Sequence, residues 1–182
     1  MKVRVGVSNR HIHLTREDAD ILFGKGYQFH KRNDLSQPGE YACTEIVQIK
    51  TDQYEFPHVR VMGPLREYTQ VEISSEDAIN LGINPPMRES GDLDNSETVL
   101  IIGPAGSINK KNCCIIPERH IHCNKLDNIG YNNKDIVSTT INGKIMDNVH
   151  IKMNDNYNLE LHIDRTDAKL YGLENGDYID LD

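Results

Sequence analysis

The segment RHIHLTREDADILFG, residues 10–24, contains the two features that decide the fold. Its first part, RHIHL, alternates polar and apolar residues as a short β-strand does. Its second part begins with Thr15, a good helix N-cap, which is followed three residues later by Asp18. The segment ends at Gly24, a residue type that commonly terminates helices. It therefore predicts a strand that leads through a cap into a short helix.

The same pattern recurs at three more places along the chain. The copies are ISSEDAINLG (73–82), IDRTDAKLYG (163–172) and the weaker CNKLDNIG (123–130). Their N-cap residues are Ser74, Asp164 and Asn124, and each is followed three residues later by an aspartate, as in a capping box with Asp in place of Glu. We expect these aspartates to act only as caps. The repeat indicates a duplicated folding unit of strand, cap, short helix and turn.

The remaining hydrophobic segments are short and β-like. They are VRVGVS (3–8), EIVQIK (45–50), HVRVMG (58–63), TQVEIS (69–74), TVLIIG (98–103), CCIIP (113–117), IVSTTI (136–141), VHIKM (149–153) and LELHI (159–163). Even spacing of such segments is typical of β-barrels or β-sandwiches. Asn142-Gly143 predicts a type I′ hairpin turn, and residues 84–97 predict an exposed connection between halves. We therefore predict a mainly β fold with short helices, an α+β protein.

Composition and charge restrict the classes of function. The 182 residues, 37% of them hydrophobic, suffice for one large domain or two small ones. A net charge of −8 without a basic stretch argues against a nucleic-acid partner. The chain has no apolar run long enough for a bilayer and no signal-peptide core, so we predict a cytoplasmic protein without a membrane partner. We interpret the four cysteines, which lack CxxC spacing, as reduced thiols.

Potential metal ligands stand two positions before each of the four caps. They are His13, Glu72, His122 and His162. Two copies add a second histidine, His11 or His120, and an extended strand would direct both rings of such a pair to one side, about 6.6 Å apart. Repetition of the RHIH tetrapeptide favours metal binding over isolated surface histidines. The other histidines (His30, His58 and His150) lack this context, and we assign them no role.

Six such ligands exceed the needs of one tetrahedral zinc site, so two metal ions are plausible. Imidazole and carboxylate groups suit zinc, with manganese, cobalt or iron as reasonable substitutes.

Arg66 lies six residues before Glu72, in GPLREYTQVE (63–72), and its guanidinium would suit a phosphate oxygen near a metal. Arg10 and Arg119 should alternate away from the histidine pairs, so we expect structural roles for both. There is no GxSxG nucleophile motif, and alternation turns Cys123 toward the core. Direct attack on a metal-bound substrate is therefore favoured over a covalent enzyme intermediate.

These motifs resemble those of the phosphate propanoyltransferases of propanediol utilisation, a family of metal-dependent phosphotransacylases. The likeness covers nearly the whole chain and runs through SNRHIHL (8–14), LSQPGEYACTE (35–45), GPLREYTQVEIS (63–74), PPMRESGDL (85–93), GPAGS (103–107), ERHIH (118–122) and LHIDRTDA (161–168). Cys123-Asn124 and Asn128 depart from the residues typical of the family at these positions. These departures weaken the cap of the fourth copy and remove no ligand.

The resemblance implies one zinc on His11, His13 and Glu72, able to meet the coenzyme A sulfur. A second zinc would be held by His120, His122 and His162, with open positions for phosphate, which Arg66 would contact. The implied fold is two β-barrel domains capped by short α-helices, with the active site between them. The domains are discontinuous: residues 1–9 with 118–182, and residues 10–117. The second contains an inserted hairpin around 24–44 and a connecting segment around 84–112.

We therefore predict an enzyme that converts acyl-CoA and phosphate into acyl phosphate and coenzyme A, with a propanoyl or acetyl group. A dinuclear zinc hydrolase of a phosphate or thioester and a non-catalytic, metal-stabilised binding module are the alternatives. The sequence does not identify the coenzyme A contacts and leaves a homodimer open. Family members packaged in microcompartments usually carry an N-terminal amphipathic extension, whereas SNRHIHL begins at residue 8, so we predict a freely cytosolic enzyme.

Overall fold

The fold, given by a computed structural model that describes residues 1–181, is mainly β, as the sequence predicted. In chain order the strands are β1 (Lys2–Ser8), β2 (His11–His13), β3 (Lys31–Asp34), β4 (Tyr41–Lys50), β5 (Glu55–Gly63), β6 (Gln70–Glu72), β7 (Met87–Arg88), β8 (Glu97–Ile102), β9 (Ser107–Pro117), β10 (His120–Cys123), β11 (Ile136–Ile141), β12 (Lys144–Met153), β13 (Glu160–Asp164) and β14 (Tyr178–Asp180). The helices are α1 (Arg16–Phe23), α2 (Ser75–Leu81) and α3 (Arg165–Tyr171), with a single 3-10 turn at Lys125–Asp127.

The chain forms two compact units, each built from more than one segment. Unit 1 contains Met1–Asn9, Ser36–Pro38 and the chain from Glu118 onward. Unit 2 contains Arg10–Leu35 and Gly39–Pro117. Residues 36–38 lie at the tip of the β3–β4 hairpin, so this short tip belongs to unit 1 although its two strands belong to unit 2.

Unit 2 is a closed barrel of six strands. Neighbouring strands pair in the cyclic order β4, β5, β2, β6, β9, β8 and back to β4. A closed ring of this kind has no unpaired strand edge, and the inward side chains fill its interior. Ile12, Ile49 and Ile101, each fully buried, belong to this core.

Unit 1 is a six-stranded sheet in the order β11, β12, β10, β13, β1, β14, curled into a half-barrel. Its edge strands approach each other closely enough for the Thr139 hydroxyl to donate to the Asp180 carbonyl at 3.4 Å. The core of this unit is formed by apolar residues that include Ile121, Met146 and Leu161, all fully buried. The two predicted barrels are therefore a closed barrel and a curled sheet.

The sequence repeat is also a structural repeat. In unit 2, β2 runs parallel to β5 and antiparallel to β6. In unit 1, β10 runs parallel to β12 and antiparallel to β13 in the same arrangement. The registers correspond as well, since His11 lies opposite Glu72 and His120 lies opposite His162. The duplicated unit therefore includes the pairing of its strands.

The predicted N-caps are confirmed at all four positions. Thr15 and Asp164 each accept a hydrogen bond from the backbone nitrogen three residues later. Ser74 and Asn124 go further and form complete capping boxes with Asp77 and Asp127. Polar side chains here satisfy backbone N–H groups that the first helical turn leaves without partners.

Two details of the sequence interpretation need correction. The fourth copy forms only the 3-10 turn, and it ends at Asn128, which adopts φ +45°, rather than at Gly130. Asparagine tolerates this left-handed conformation because its short amide side chain can form local hydrogen bonds.

Residues 84–112 are more than a connection, because they lie in unit 2 and supply β7, β8 and part of β9. The type I′ turn is confirmed by φ values of +50° and +77° at Asn142 and Gly143.

Replacing Ser74 with alanine should lower the free energy of unfolding by about 1 kcal/mol, the usual cost of losing an N-cap. The buried hydroxyl of Ser74 accepts from the Asp77 backbone nitrogen at 3.1 Å, and alanine would leave that donor without its partner. Urea denaturation of the variant measures the change. Ser75→Ala is the matched control, because Ser75 is the first helical residue and does not cap. Equal losses in both variants would contradict the assignment of the cap.

Candidate metal and active site

The first group of predicted ligands comes together in unit 2 and is named cluster A (His11, His13 and Glu72). His11 and His13 lie on β2, and Glu72 lies opposite His11 on β6. The Nε2 atoms of His11 and His13 lie 3.2 Å and 3.6 Å from the two carboxylate oxygens of Glu72. Three ligand atoms, one from each residue, all lie within 4.8 Å of one another. One cation could contact all three.

The second group comes together in unit 1 and is named cluster B (His120, His122 and His162). His120 and His122 lie on β10, with His162 opposite His120 on β13. The ring centroids of His120 and His162 are 5.1 Å apart and stacked, and that of His122 lies 4.6 Å from the first and 4.8 Å from the second. This cluster also offers three ligand atoms within 4.8 Å of one another.

Strand alternation holds both clusters in place, as the sequence predicted. Ile12 and Val71 between the residues of cluster A are fully buried, and so are Ile121 and Leu161 at the corresponding positions of cluster B. Successive side chains of a strand point to opposite faces, so burial of these residues directs the polar neighbours to the other face.

Burial keeps the imidazole of His13 uncharged at neutral pH. It lowers the pKa of His13 to about 3, and repulsion from His11 and Arg66 acts in the same direction. Burial works against ionisation of Glu72, but attraction to His11 and His13 and a hydrogen bond from Gln70 outweigh it and lower the pKa of Glu72. Cluster A therefore combines neutral imidazole with an ionised carboxylate.

Burial also lowers histidine pKa values in cluster B, which has no carboxylate among its three members. Burial lowers the pKa of His122 to about 3, assisted by repulsion from His162 and Lys152. Burial also lowers the pKa of His120 well below its ordinary value, with Lys152 as the next cause. Neutral imidazoles are the protonation state that binds metal.

Both clusters fit a divalent metal by donor type and by unsatisfied atoms. The buried Nδ1 atoms of His13 and His122 have no hydrogen-bond partner among residues 1–181. Buried polar atoms rarely stay unpaired, so each cluster has unsatisfied polar capacity of the kind that a bound ion relieves. Imidazole nitrogen with or without a carboxylate is a donor set that suits zinc.

Arg66 lies near cluster A, because the Ser90 hydroxyl to which it donates also accepts from Gln70, which donates to Glu72. Its positive charge also acts to lower the pKa of His13. Its Nη2 donates to the Glu40 carboxylate at 2.8 Å, and its Nη1 donates to the Ser90 hydroxyl at 3.2 Å. These partners fix the guanidinium and leave it partly exposed, with 22% of the side-chain surface accessible. An anion could therefore reach Arg66 beside cluster A.

Arg10 and Arg119, for which we expected structural roles, bind the aspartates of the capping pattern. Arg10 pairs with Asp77 at 2.6 Å and stacks on the Phe56 ring. Arg119 binds both carboxylate oxygens of Asp167 at 2.7 Å. Arg10 therefore contacts α2, which follows β6, and Arg119 contacts α3, which follows β13. These two strands supply the third member of each cluster.

Two polar residues beside the clusters were missed by the sequence interpretation. Gln70 is fully buried and donates to Glu72 at 2.6 Å and to the Ser90 hydroxyl at 2.9 Å. Glu160 is buried beside His162, whose Nε2 lies 2.6 Å from a carboxylate oxygen. Each stands two positions before a predicted ligand, so strand alternation could have placed both on the face of the cluster.

The environment of Glu160 favours its ionised form. Burial alone would raise its pKa, but hydrogen bonds from His162 and Ser36 reverse the effect and lower the pKa to about 2. Cluster B therefore has a carboxylate directly beside it.

All four cysteines are buried free thiols, as the absence of a nucleophile motif suggested. Burial raises the pKa of Cys43 to about 11 and that of Cys113 to about 12, and it also raises the pKa values of Cys114 and Cys123. A thiol must ionise to act as a nucleophile, so none of these side chains is suited to that role.

Fold and site together define a β-rich protein with two related clusters of metal-ligand type in the repeat. Comparison with known proteins agrees: a sequence profile of the phosphate propanoyltransferase family matches residues 4–174. Relatives named phosphate propanoyltransferase include those of Thermotoga maritima (44% identity, 96% of this chain and 86% of the relative), Rhodobacter capsulatus (44%, 95% and 83%) and Rhodopseudomonas palustris (42%, 98% and 81%).

The chain belongs to the phosphate propanoyltransferase family. This confirms the resemblance inferred from the motifs and the predicted class of enzyme, an acyltransferase. Among residues 1–181, no helix combines the length and the apolar composition needed to cross a membrane. The cytosolic location stays a prediction.

Thiol-modifying reagents should react slowly with the native protein. After unfolding, they should react with all four cysteines. Burial excludes the reagent and raises the thiol pKa values, whereas an unfolded chain returns each thiol to about 8.5. Counting reacted thiols with a chromogenic disulfide at pH 8, with and without denaturant, measures the difference. One fast-reacting native thiol would contradict this picture. Native protein treated in this way should also keep its activity.

Proposed function

We propose that this chain catalyses transfer of an acyl group from coenzyme A to phosphate, giving acyl phosphate and free coenzyme A. The proposal takes the substrates from the name shared by the family and its relatives. We further propose a short acyl group, propanoyl or acetyl. The observation that carries the proposal is the presence of two ligand clusters, each with donor atoms within 4.8 Å, in a member of this family.

We propose one zinc ion on each cluster, with manganese, cobalt or iron as chemically reasonable substitutes. When bound, these ions would supply Lewis-acid stabilisation of negative charge on phosphate oxygens and on the departing thiolate. Each cluster is required for the reaction under this proposal, so loss of either one should stop it.

Arg66 is the residue proposed to bind phosphate. Its guanidinium presents several N–H donors in a fixed plane, which suits phosphate oxygens, and Glu40 and Ser90 hold it in position. A phosphate oxygen attacks the thioester carbonyl carbon, the carbon–sulfur bond breaks, and sulfur leaves as the thiolate. The role of the protein is to orient the attacking oxygen and stabilise the charge that develops.

Direct attack by phosphate agrees with the side chains present. The buried cysteines have raised pKa values, and so no activated thiol is available among residues 1–181 for an acyl-enzyme intermediate. The imidazoles of His13, His120 and His122, whose pKa values are lowered by burial, suit metal binding better than proton transfer.

Removing a ligand from either cluster should abolish transfer. His11→Ala and His122→Ala should each lower kcat/KM by more than about 100-fold, because Lewis-acid stabilisation is worth several kcal/mol and about 1.4 kcal/mol equals a factor of ten. The assay follows phosphate-dependent release of coenzyme A together with the metal content of each variant. His58→Ala is the matched control, because this exposed histidine lies outside both clusters. Full activity and metal content in either cluster variant would refute the proposal.

The same assay separates the alternatives from the proposed reaction. A hydrolase would release coenzyme A without phosphate and yield a free acid, whereas a phosphate acyltransferase yields acyl phosphate, which hydroxylamine traps as the hydroxamate. A metal-stabilised binding module would unfold when a chelator removes the metal. The proposed enzyme should instead lose activity with its circular dichroism spectrum largely unchanged and recover on addition of zinc.

Arg66→Met should weaken phosphate use more than acyl-CoA use. A charge-assisted hydrogen bond contributes about 1.5–3 kcal/mol, so the kcat/KM for phosphate should fall about 10- to 100-fold. Steady-state kinetics with each substrate varied in turn measure the two effects. Arg32→Met serves as the control, since Arg32 is an exposed arginine on β3. An unchanged phosphate dependence would remove Arg66 from the proposed phosphate site.

A further inference from the structure

Glu160 is a buried carboxylate that the proposed reaction does not yet use. Only 1% of its surface is accessible, and it lies on β13 two residues before His162, on the same face of the strand. Arg4 and Ser36 donate to its carboxylate, and the Gln37 amide donates at 3.4 Å. The Nε2 atom of His162 lies 2.6 Å from Oε2.

The surrounding donors determine which atom carries the proton between Glu160 and His162. A guanidinium and an amide nitrogen can only donate, and they reach the two different oxygens of Glu160, so the carboxylate acts as an acceptor. The short contact to His162 therefore has the imidazole nitrogen as donor, with the proton on Nε2.

Comparison with the corresponding position of unit 2, Gln70, shows that the two units place their carboxylate at different positions. Gln70 lies opposite His13 as Glu160 lies opposite His122. In unit 2 the carboxylate occupies the ligand position, Glu72, and the neutral Gln70 stands beside it. In unit 1 the order is reversed, with the carboxylate at 160 and the imidazole at 162. Each unit has one carboxylate in this pair of positions.

We infer that Glu160 is a positioning residue of cluster B, which accepts the Nε2 proton of His162 and presents the Nδ1 lone pair of that ring to the metal. This inference rests on the proposed function. Histidine ligands commonly donate their second ring nitrogen to a carboxylate or carbonyl, which fixes the tautomer and raises ligand basicity. His120 shows the complementary arrangement, with Nδ1 2.7 Å from the Glu118 carbonyl and Nε2 left for the metal.

Glu160 is better placed to orient His162 than to bind the metal itself. Its Oε2 accepts from Ser36, Gln37 and His162, and its Oε1 accepts from Arg4, so both oxygens already have hydrogen-bond donors. Direct ligation would require it to give up these bonds.

Glu160→Gln tests the inference with nearly the same shape and no negative charge. Loss of such a partner typically weakens metal binding about 10- to 100-fold. Zinc-loaded wild-type and variant proteins are titrated with a competing chelator, and retained zinc is measured by mass spectrometry. The variant should lose one zinc ion at chelator concentrations that leave the wild type with two.

Glu45→Gln is the matched control. Glu45 is also a largely buried carboxylate in contact with a histidine, since its oxygen lies 2.7 Å from Nδ1 of His30, but His30 belongs to neither cluster. This variant should retain both zinc ions across the titration. A loss that is equal in the two variants would reveal general destabilisation and overturn the inference.

A measurement on the wild type keeps the test decisive if Glu160→Gln does not fold. Long-range proton–nitrogen NMR correlation of zinc-loaded, histidine-labelled protein reports which nitrogen of His162 carries the proton, and His162→Ala assigns its signals. A proton on Nε2 supports the inference, and a proton on Nδ1 overturns it.

The outcomes distinguish this inference from the proposed function. Two zinc ions held equally tightly by the wild type and Glu160→Gln would overturn the positioning role alone. A wild-type protein that binds no zinc would overturn the proposed zinc chemistry and the inference together.

Discussion

Burial of one isoleucine in each short RHIH strand fixes the histidines on either side of it. Ile12 and Ile121 are fully buried in the cores of their units, and a strand alternates its side chains between faces. A slip of one residue would expose an isoleucine and force two imidazoles into an apolar core, where unpaired polar groups are costly. The core therefore selects the register, and the register determines which side chains can meet at each cluster.

The RHIH arginines add a second constraint, which acts between neighbouring strands. Arg10 and Arg119 bind Asp77 and Asp167, the aspartates of helices that follow β6 and β13. The pair of Arg119 and Asp167 is bidentate, which fixes both distance and orientation, whereas Arg10 contacts Asp77 through one nitrogen. Each ion pair links the start of an RHIH strand to the end of the strand paired with it, where the third member of the cluster lies. One tetrapeptide thus supplies the two histidines and the contact that positions their partner strand.

Local features were predictable from the sequence, whereas long-range ones were not. Alternation and capping identified nine strands besides those of the two RHIH motifs, the four N-caps and the six cluster residues, because these patterns depend on residues close in sequence, but they did not identify β3, β7 or β14. The order in which strands pair, the closure of unit 2 and the place of residues 36–38 in unit 1 depend on contacts between distant segments. Gln70 and Glu160 were predictable only in part from the sequence. Alternation places them on the correct face, but only strand pairing brings Glu160 together with Arg4 and Ser36.

The two clusters carry similar charges in different positions. Cluster A has a carboxylate among its three members and Arg66 beside it, whereas cluster B has three imidazoles with Glu160 and Lys152 nearby. A carboxylate that touches a cation reduces its charge more than one separated from it by an imidazole ring, because Coulomb attraction falls with distance. Under the proposed function, a divalent ion on cluster B would keep more of its own positive charge than one on cluster A, where Arg66 instead supplies positive charge from the protein. The carboxylate stands at position 72 of the pair 70 and 72 in unit 2, and at position 160 of the pair 160 and 162 in unit 1. This difference gives a duplicated scaffold two chemically different clusters.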